Sequence, residues 1–435
     1  MAFSFDLASS GNRVRTEVLA GATTFLTMAY IVFVNPDILA STGMDRGAVF
    51  VATCLAAALG STLMGLLANY PVGAAPGMGL NAFFAFTVVG TLGYSWQQAL
   101  GLVFVSGCVF VLLTLIGARR WLVDGIPPAL RSGIAAGIGL FLAFIGLQKA
   151  GLVVSSSATL VTLGDLHRPE PLLALAGLAL IAILDQRRVR GAILIGILAI
   201  TAVAAALGHV HWQGLLSWPP SLTPTFMQLD IHGALRGHGD GSALTAVLHV
   251  VLVFVLVEVF DATGTLMGVA KRAGLLGTPA LRKRFDRALF ADSGAILAGS
   301  LLGTSSTTAY VESAAGVQAG GRTGLTALTV AALFLLALLF SPLAAMVPAY
   351  ATAPALIYVA ASMLRELVDV EWSELTESLP AALCALAMPL TYSIANGLAL
   401  GFLAYAVLKL GAGRWREVHP ASWVIAALFV LRYAL

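Results

Sequence analysis

The chain has 435 residues, of which 59% are apolar and only 10% are charged, whereas an ordinary soluble domain has about 25% charged residues. Its mean hydropathy of +0.92 and its recurring apolar runs indicate a protein whose solvent is lipid. This excludes a soluble enzyme, and a formal net charge of +3 excludes a nucleic-acid-binding surface.

Fourteen apolar segments follow one another along the chain, each bounded by Gly, Pro or charged residues. In the first half they are 18–39, 48–69, 74–90, 97–117, 129–147, 171–184 and 191–208. In the second half they are 243–270, 288–303, 305–319, 323–341, 347–364, 379–392 and 395–410. A last apolar stretch, 423–435, is shorter than a bilayer requires, and the sequence leaves open whether it crosses or lies along the interface.

The basic residues predict an orientation. With a cytoplasmic N-terminus, alternating crossings place most of the 24 lysines and arginines at cytoplasmic ends, as the positive-inside rule requires. Only Arg46, Lys149, Arg168 and Arg236 fall on the other side, apart from Arg432 in the last apolar stretch. No cleavable signal peptide precedes Glu17, so we expect the first segment to direct the chain to the inner membrane.

The two halves are predicted to be inverted repeats. Residues 22–26 (ATTFL) resemble residues 262–266 (ATGTL), and because seven is odd, two such halves must have opposite orientations in the bilayer. The predicted fold is an all-α polytopic membrane protein with repeats at 1–208 and 243–410. An extracytoplasmic connection, 209–242, joins them, and a tail follows at 411–435.

The third segment is predicted to be a half-helix. Two prolines and three glycines among residues 71–79 disfavour a helix before about Leu80, so a short extended strand should precede it. Asn81 then lies near the exposed N–H groups of the helix start, where it either caps the helix or contacts a substrate.

The tenth segment has the same character. A break at Gly303 is followed by five hydroxyl residues at 304–308, which include Thr307 and Thr308, and then by Tyr310 and Glu312. We therefore expect a second strand and half-helix, with Glu312 at the depth of Asn81.

Four carboxyl groups stand out within apolar segments, where each costs roughly 2.5–3.5 kcal/mol at the bilayer centre on insertion scales. They are Glu258, Asp261, Asp292 and Glu312. Glu258 and Asp261 share one helical face, which must point inward. The alternative is a structural cluster satisfied by neighbouring hydroxyl and amide groups.

Carboxylates and an amide suit a planar heterocycle whose edge carries adjacent donors and acceptors. Phe83, Phe84 and Tyr310 are candidates for a stacking face. No fixed cation lies in the segments that carry these side chains, which disfavours an anionic substrate. Carboxyl groups in a low-dielectric cavity can couple proton binding to substrate binding. The isolated cysteines predict neither a disulfide nor a metal site, and no nucleophile–base pair indicates an enzyme.

At these residues the chain closely resembles the adenine/guanine/hypoxanthine permeases, the azaguanine-resistance branch of the proton-linked nucleobase transporters. The matching stretches are TTFLTMAYIVFVNPDIL (23–39), APGMGLNAFF (75–84), VEVFDATGTLMGVA (257–270), FADSGAILAGSLLGTSSTTAYVESAAGV (290–317) and MPLTYSIANGLALGF (388–402).

The resemblance implies a core domain (18–117 and 243–341) and a gate domain (129–208 and 347–410), with the substrate between them. Candidate purine contacts are Asn81, Glu258 and Glu312, with Phe83, Tyr310, Thr307 and Thr308 around them. Asp261, Asp292 and Glu258 are the candidates for proton coupling. Glu258 stands where the family often has Asp, which leaves the preferred purine open.

The expected function is uptake of adenine, hypoxanthine or guanine by proton symport through alternating access, with the proton gradient in place of a cofactor. A transporter of the same fold for xanthine, uracil or an inorganic anion is the alternative, and the anion carrier would favour a cation near the half-helices. An intramembrane enzyme and an open channel are disfavoured. The sequence leaves open whether two copies form a homodimer.

Overall fold

The computed structural model describes residues 13–236, 243–274 and 279–434. The first twelve residues of the first predicted repeat, residues 237–242 of the predicted connection, residues 275–278 between the eighth and ninth apolar segments and the last residue of the tail lie outside this description.

Helices account for most of the first half. The α-helices are α1 Val14–Met28, α2 Ile31–Leu39, α3 Arg46–Ala68, α4 Met78–Ala82, α5 Trp96–Leu115, α6 Ala118–Asp124, α7 Pro128–Lys149, α8 Pro169–Gln186, α9 Ala192–Ala206 and α10 Ile231–Arg236. A 3₁₀ turn, Ala40–Thr42, follows α2, and a π-helix, Phe83–Thr91, continues α4.

Helices also account for most of the second half. Its α-helices are α11 Ala243–Arg272, α12 Pro279–Leu302, α13 Ser313–Gln318, α14 Gly324–Ala337, α15 Ser341–Met346, α16 Ala349–Met363, α17 Leu375–Leu390, α18 Ile394–Gly411 and α19 Pro420–Ala434. Short 3₁₀ helices lie at Leu338–Phe340, Leu364–Asp369 and Trp415–Glu417.

Within the described ranges, nine helical segments are long and apolar enough to cross a membrane. Shorter apolar helices lie at Met78–Thr91, Ala192–Ala206, Leu375–Leu390 and Pro420–Ala434. The chain is therefore a helical, multi-pass membrane protein, whereas the fourteen crossings and their inverted order stay predictions.

Two helix boundaries differ from the predicted segments. The first segment contains two helices, α1 and α2, and the backbone of Ala29 and Tyr30 between them stays in the right-handed helical region. The ninth begins at Pro279 rather than at residue 288, because lysine and arginine end an apolar run but are good helix formers.

Two small antiparallel sheets interrupt the helices. Strand β1 (Ala74–Pro76) pairs with β4 (Thr307–Ala309), so that the extended lead-ins predicted before the third and tenth segments contact each other. Strands β2 (Val153–Ser156) and β3 (Leu160–Leu163) form a hairpin between α7 and α8, which the all-α prediction does not contain.

The last helix lies antiparallel to α18. Ser422, near its start, donates a hydrogen bond to the Gly125 carbonyl, which precedes α7. Near its other end, Tyr433 donates to Asn396 Oδ1 at 2.7 Å, in the first turn of α18. Fifteen residues of α-helix extend about 22 Å, so α19 follows α18 over most of its length rather than leaving it at the membrane surface.

We therefore expect the two ends of α19 to lie on opposite sides of the membrane. Fusions to green fluorescent protein and to alkaline phosphatase, made after Gly413 and after residue 435, test this. Fluorescence after Gly413 and phosphatase activity after residue 435 are the expected result, because only the second reporter is then exported. The same reporter active at both positions would contradict it.

Candidate functional site

The paired strands β1 and β4 form the centre of the site. Their register places Ala74 opposite Ala309 and Pro76 opposite Thr307, and Gly77 N–H donates to the Ser306 carbonyl at 2.9 Å. Gly303 ends α12 with φ of +90°, and a Cβ there would lie 2.3 Å from Thr225 Cβ. Glycine is therefore required at the predicted break, which turns the chain into β4.

Asn81 and Glu258 are anchored by consecutive serines that precede β4. Ser305 donates to Asn81 Oδ1, and Ser306 donates to Glu258 Oε1. Both anchored side chains are fully buried. Asn81 lies inside α4 and is not its N-cap, which is Gly77, so the capping interpretation of Asn81 is wrong.

Three buried polar atoms next to these anchors have no hydrogen-bond partner among the described residues. They are Asn81 Nδ2, Glu258 Oε2 and Thr307 Oγ1. Because an unpaired buried polar atom costs about 1–3 kcal/mol, such an atom needs an explanation. An amide donor and a carboxylate acceptor anchored on adjacent residues can bind a ligand that offers an acceptor beside a donor.

Asp261 and Glu312 form a second, more open part of the site. Asp261 is exposed although it lies inside α11, and Glu312 is half-buried. The two carboxyl groups interact electrostatically. Tyr30 donates to Glu312 Oε1 at 2.6 Å, which fixes one carboxylate oxygen.

Asp292 connects β4 to a buried cation. Its Oδ1 accepts hydrogen bonds from Thr308 Oγ1 at 3.1 Å and from Ala309 N–H at 3.0 Å. Its Oδ2 lies 3.9 Å from Arg119 Nη2. Arg119 lies between the fourth and fifth apolar segments, outside those that carry the carboxyl groups, and from there it brings a fixed cation to Asp292.

The aromatic residues predicted to stack on a ligand are buried in protein contacts. Phe83 packs edge-on against Phe254, with 4.9 Å between ring centroids. Tyr310 donates to the Pro76 carbonyl at 2.6 Å and is 5% exposed. Phe84 is fully buried. A stacking role for these rings stays a prediction.

The structure brings the predicted residues together at the two ends of β4. Asn81 and Glu258 lie by its start, Glu312 follows its end, and Asp292 holds it from α12. Glu258 and Glu312 share no hydrogen-bond partner among the described residues, so the site has a buried and a half-exposed part rather than one pair of acids. Among the described residues no group of three or more His, Cys, Asp or Glu side chains is placed to hold a metal ion.

Sequence reasoning missed two contributors, Tyr30 and Arg119. Tyr30 is a single hydroxyl in an apolar run, and only its position opposite Glu312 gives it a role. Arg119 is one of two consecutive arginines, and its charge predicts a place at the membrane surface rather than among the buried carboxyl groups.

Comparison with known proteins identifies the family. Residues 15–400 match the family model Xan_ur_permease, described as "Permease family". The chain is 48% identical over 428 residues to the adenine permease AdeP of Escherichia coli (strain K12), covering 98% of this chain and 94% of AdeP. It is 45% identical over 438 residues to the guanine/hypoxanthine permease PbuO of Bacillus subtilis (strain 168), covering 98% of this chain and 99% of PbuO.

Among solved structures, the fold is similar to the transmembrane domain of a cyanobacterium bicarbonate transporter, BicA. The TM-score is 0.63 at 17% identity, over 88% of this chain and 97% of that domain. This likeness concerns the fold alone. The family model and the two relatives confirm the resemblance found in the sequence: this chain belongs to the permease family.

Proposed function

We propose that this protein takes up purine nucleobases, namely adenine, hypoxanthine or guanine, by proton symport across the inner membrane. The unpaired Asn81 amide and Glu258 carboxylate oxygen carry this proposal. The 6-amino group of adenine is a donor beside the N7 acceptor. The carboxylate accepts from the first and the amide donates to the second, which satisfies both buried atoms.

Relatives named as adenine and guanine/hypoxanthine permeases support the substrate class, and membership in a permease family supports transport rather than enzymatic chemistry. The likeness to a bicarbonate transporter does not favour an inorganic anion, because the atoms left unpaired beside the anchoring serines include a carboxylate oxygen that would repel one.

The proposed mechanism is alternating access between the core domain (18–117 and 243–341) and the gate domain (129–208 and 347–410). It requires two inverted repeats of seven spans with the N-terminus in the cytoplasm. The exposure of Asp261 supports a conformation open to the cytoplasm. A Cβ added to Gly264 or Gly268, further toward the basic end of α11, would meet no atom of the described residues within 4 Å.

Uptake of labelled adenine, hypoxanthine and guanine, in cells that lack their own purine carriers, tests the proposal. We expect saturable uptake of at least one base and its collapse with an uncoupler. No uptake of any of the three, with the protein present in the membrane, would reject the substrate class. Uptake that is insensitive to the uncoupler would reject only proton coupling.

Asp261→Asn should separate coupling from binding. Asp261 is exposed to the open part of the site and anchors no strand in the described contacts, so the amide should leave purine affinity within about threefold of the parent value. Because an amide cannot exchange a proton with Asp292, with which Asp261 interacts electrostatically, concentrative uptake should fall to equilibration. Accumulation that still depends fully on the proton gradient would show that another carboxyl group couples.

A further inference from the structure

Arg119 is a buried cation that makes no side-chain hydrogen bond to any described residue. It lies in the first turn of α6, its side chain is 3% exposed, and its guanidinium carbon lies 4.1 Å from the centroid of the Phe110 ring. Its three nitrogens, Nε, Nη1 and Nη2, have no acceptor among the described residues. A buried guanidinium is costly unless a carboxylate compensates it, and the carboxylate that it approaches is Asp292, at 3.9 Å.

One carboxylate oxygen of Asp292 accepts hydrogen bonds from β4, and the other faces Arg119. Its Oδ1 holds Thr308 and Ala309 on β4, whereas its Oδ2 has no hydrogen-bond partner among the described residues. A distance of 3.9 Å is an ion pair without a hydrogen bond. Oδ2 can therefore bind either a proton or, after a small movement, the guanidinium.

The charged groups around this pair favour replacement of a proton on Oδ2 by the guanidinium. Glu258 and Asp261 on α11 interact electrostatically with Asp292, and Glu258 also interacts with Arg119. One guanidinium thus interacts with two buried carboxyl groups, Glu258 and Asp292, and a single cation cannot compensate both of them when both are charged.

A cleft connects Arg119 to the membrane edge. It has a volume of about 880 Å³ and is lined by Arg119, Thr114, Asp124, Thr263 and Asp286 among others. Because α6 and the start of α12 border it, this cleft lies at the basic, predicted cytoplasmic end of the helices. Asp292 does not line this cleft, but its partner Arg119 does, so a proton that leaves Asp292 reaches the cleft on the Arg119 side of the ion pair.

We propose that Arg119 is a positioning residue that drives proton release from Asp292 into this cleft. The O–H bond of the Asp292 carboxyl group breaks, the proton passes to water in the cleft, and the guanidinium, which stays charged, pairs with Oδ2. When Asp292 binds a new proton from the opposite side of the membrane, the ion pair breaks and Arg119 is released from Oδ2. This inference rests on the proposed proton symport and assigns its release step.

The experiment compares Arg119→Gln, Arg119→Lys and the parent protein in proteoliposomes. Exchange of labelled for unlabelled adenine does not require proton release, so Arg119→Gln should retain it within about threefold, while proton-driven accumulation falls at least about tenfold. Without the positive charge Asp292 holds its proton more tightly, so the pH profile of net uptake should move by about one unit or more to the alkaline side. Arg119→Lys should restore most of the accumulation.

Arg131→Gln is the matched control. Arg131 is a partly buried arginine of α7 whose nitrogens donate to the Val123 and Ile126 carbonyls, and its removal should leave the pH profile in place. An unchanged pH profile and accumulation in Arg119→Gln would overturn the inference. Loss of exchange as well, in both Arg119 variants, would also overturn it, because Arg119 would then serve binding or folding.

A failure of the proposed function gives a different result. If the parent protein exchanges no purine, the substrate assignment fails, and if its accumulation ignores the proton gradient, symport fails. Both measurements are made on the parent protein before any Arg119 variant is compared with it.

Discussion

Replacing Glu312 with glutamine is expected to lower purine affinity by on the order of 100-fold, or about 3 kcal/mol. Tyr30 donates to Glu312 Oε1, and the glutamine carbonyl can accept the same hydrogen bond. The substitution therefore keeps the anchor and the side-chain volume. It replaces Oε2, the second acceptor of the carboxylate, with an NH₂ donor that repels the donor groups of a purine. Equilibrium binding of labelled adenine to purified protein measures the change.

Tyr30→Phe is the control for this experiment. It removes the anchoring hydroxyl and keeps the carboxylate, so we expect a smaller loss, about tenfold. If Glu312→Gln binds adenine with nearly parental affinity, Glu312 is a structural residue that holds α1 against the end of β4. A loss in Tyr30→Phe as large as that in Glu312→Gln would point to the same conclusion.

Much of this site follows from sequence because backbone chemistry determines its frame. The prolines and glycines before Asn81 and the Gly303 break exclude regular helix, so the extended segments at 74–76 and 307–309 could be predicted. A sequence pattern does not show that these segments pair with each other, because that pairing depends on how the two halves pack.

The partners of the carboxyl groups could not be predicted for a different reason. Hydropathy and charge rules treat a side chain by its depth along one helix, whereas Tyr30, Ser306 and Arg119 act across helices. The same limitation explains Arg46 and Lys149. They are exceptions to the positive-inside pattern, and the structure pairs both with Asp37.

The contacts of Asp37 join the two predicted domains on the side away from the basic loops. Lys149, at the end of α7, donates to the Asp37 carboxylate, and Thr352 on α16 donates to it at 3.3 Å. Arg46, 3.9 Å from Asp37, also donates to the Val347 carbonyl at 3.0 Å. Asp37 and Arg46 belong to the predicted core and the other three to the predicted gate. In the proposed orientation this cluster joins the two predicted domains at the outer end of their boundary, whereas Asp261 is exposed.

Lys149→Gln should therefore shift the protein from the inward-open to the outward-open conformation. The Asp37 and Lys149 side chains are 14% and 18% exposed, so the pair lies between surface and buried ion pairs, and we assign it about 2 kcal/mol. Such a change alters the ratio of the two conformations roughly 30-fold. Since the pair must break in every transport cycle, outward opening should become easier and inward-facing sites less accessible.

Labelling of a cysteine placed at Gly268, where a side chain meets open space, measures this shift. Cys108 is exposed and is replaced by serine in all proteins compared, and a membrane-impermeant maleimide is added to inside-out vesicles. Lys149→Gln should slow the labelling several-fold, and Lys149→Arg, which keeps the charge, should not. Arg168→Gln removes an outer charge that pairs only with Glu170 in the described contacts and serves as the control. If Lys149→Gln labels at the parental rate, the Asp37 cluster does not hold the outer side closed, and the domain boundary that moves during transport lies elsewhere.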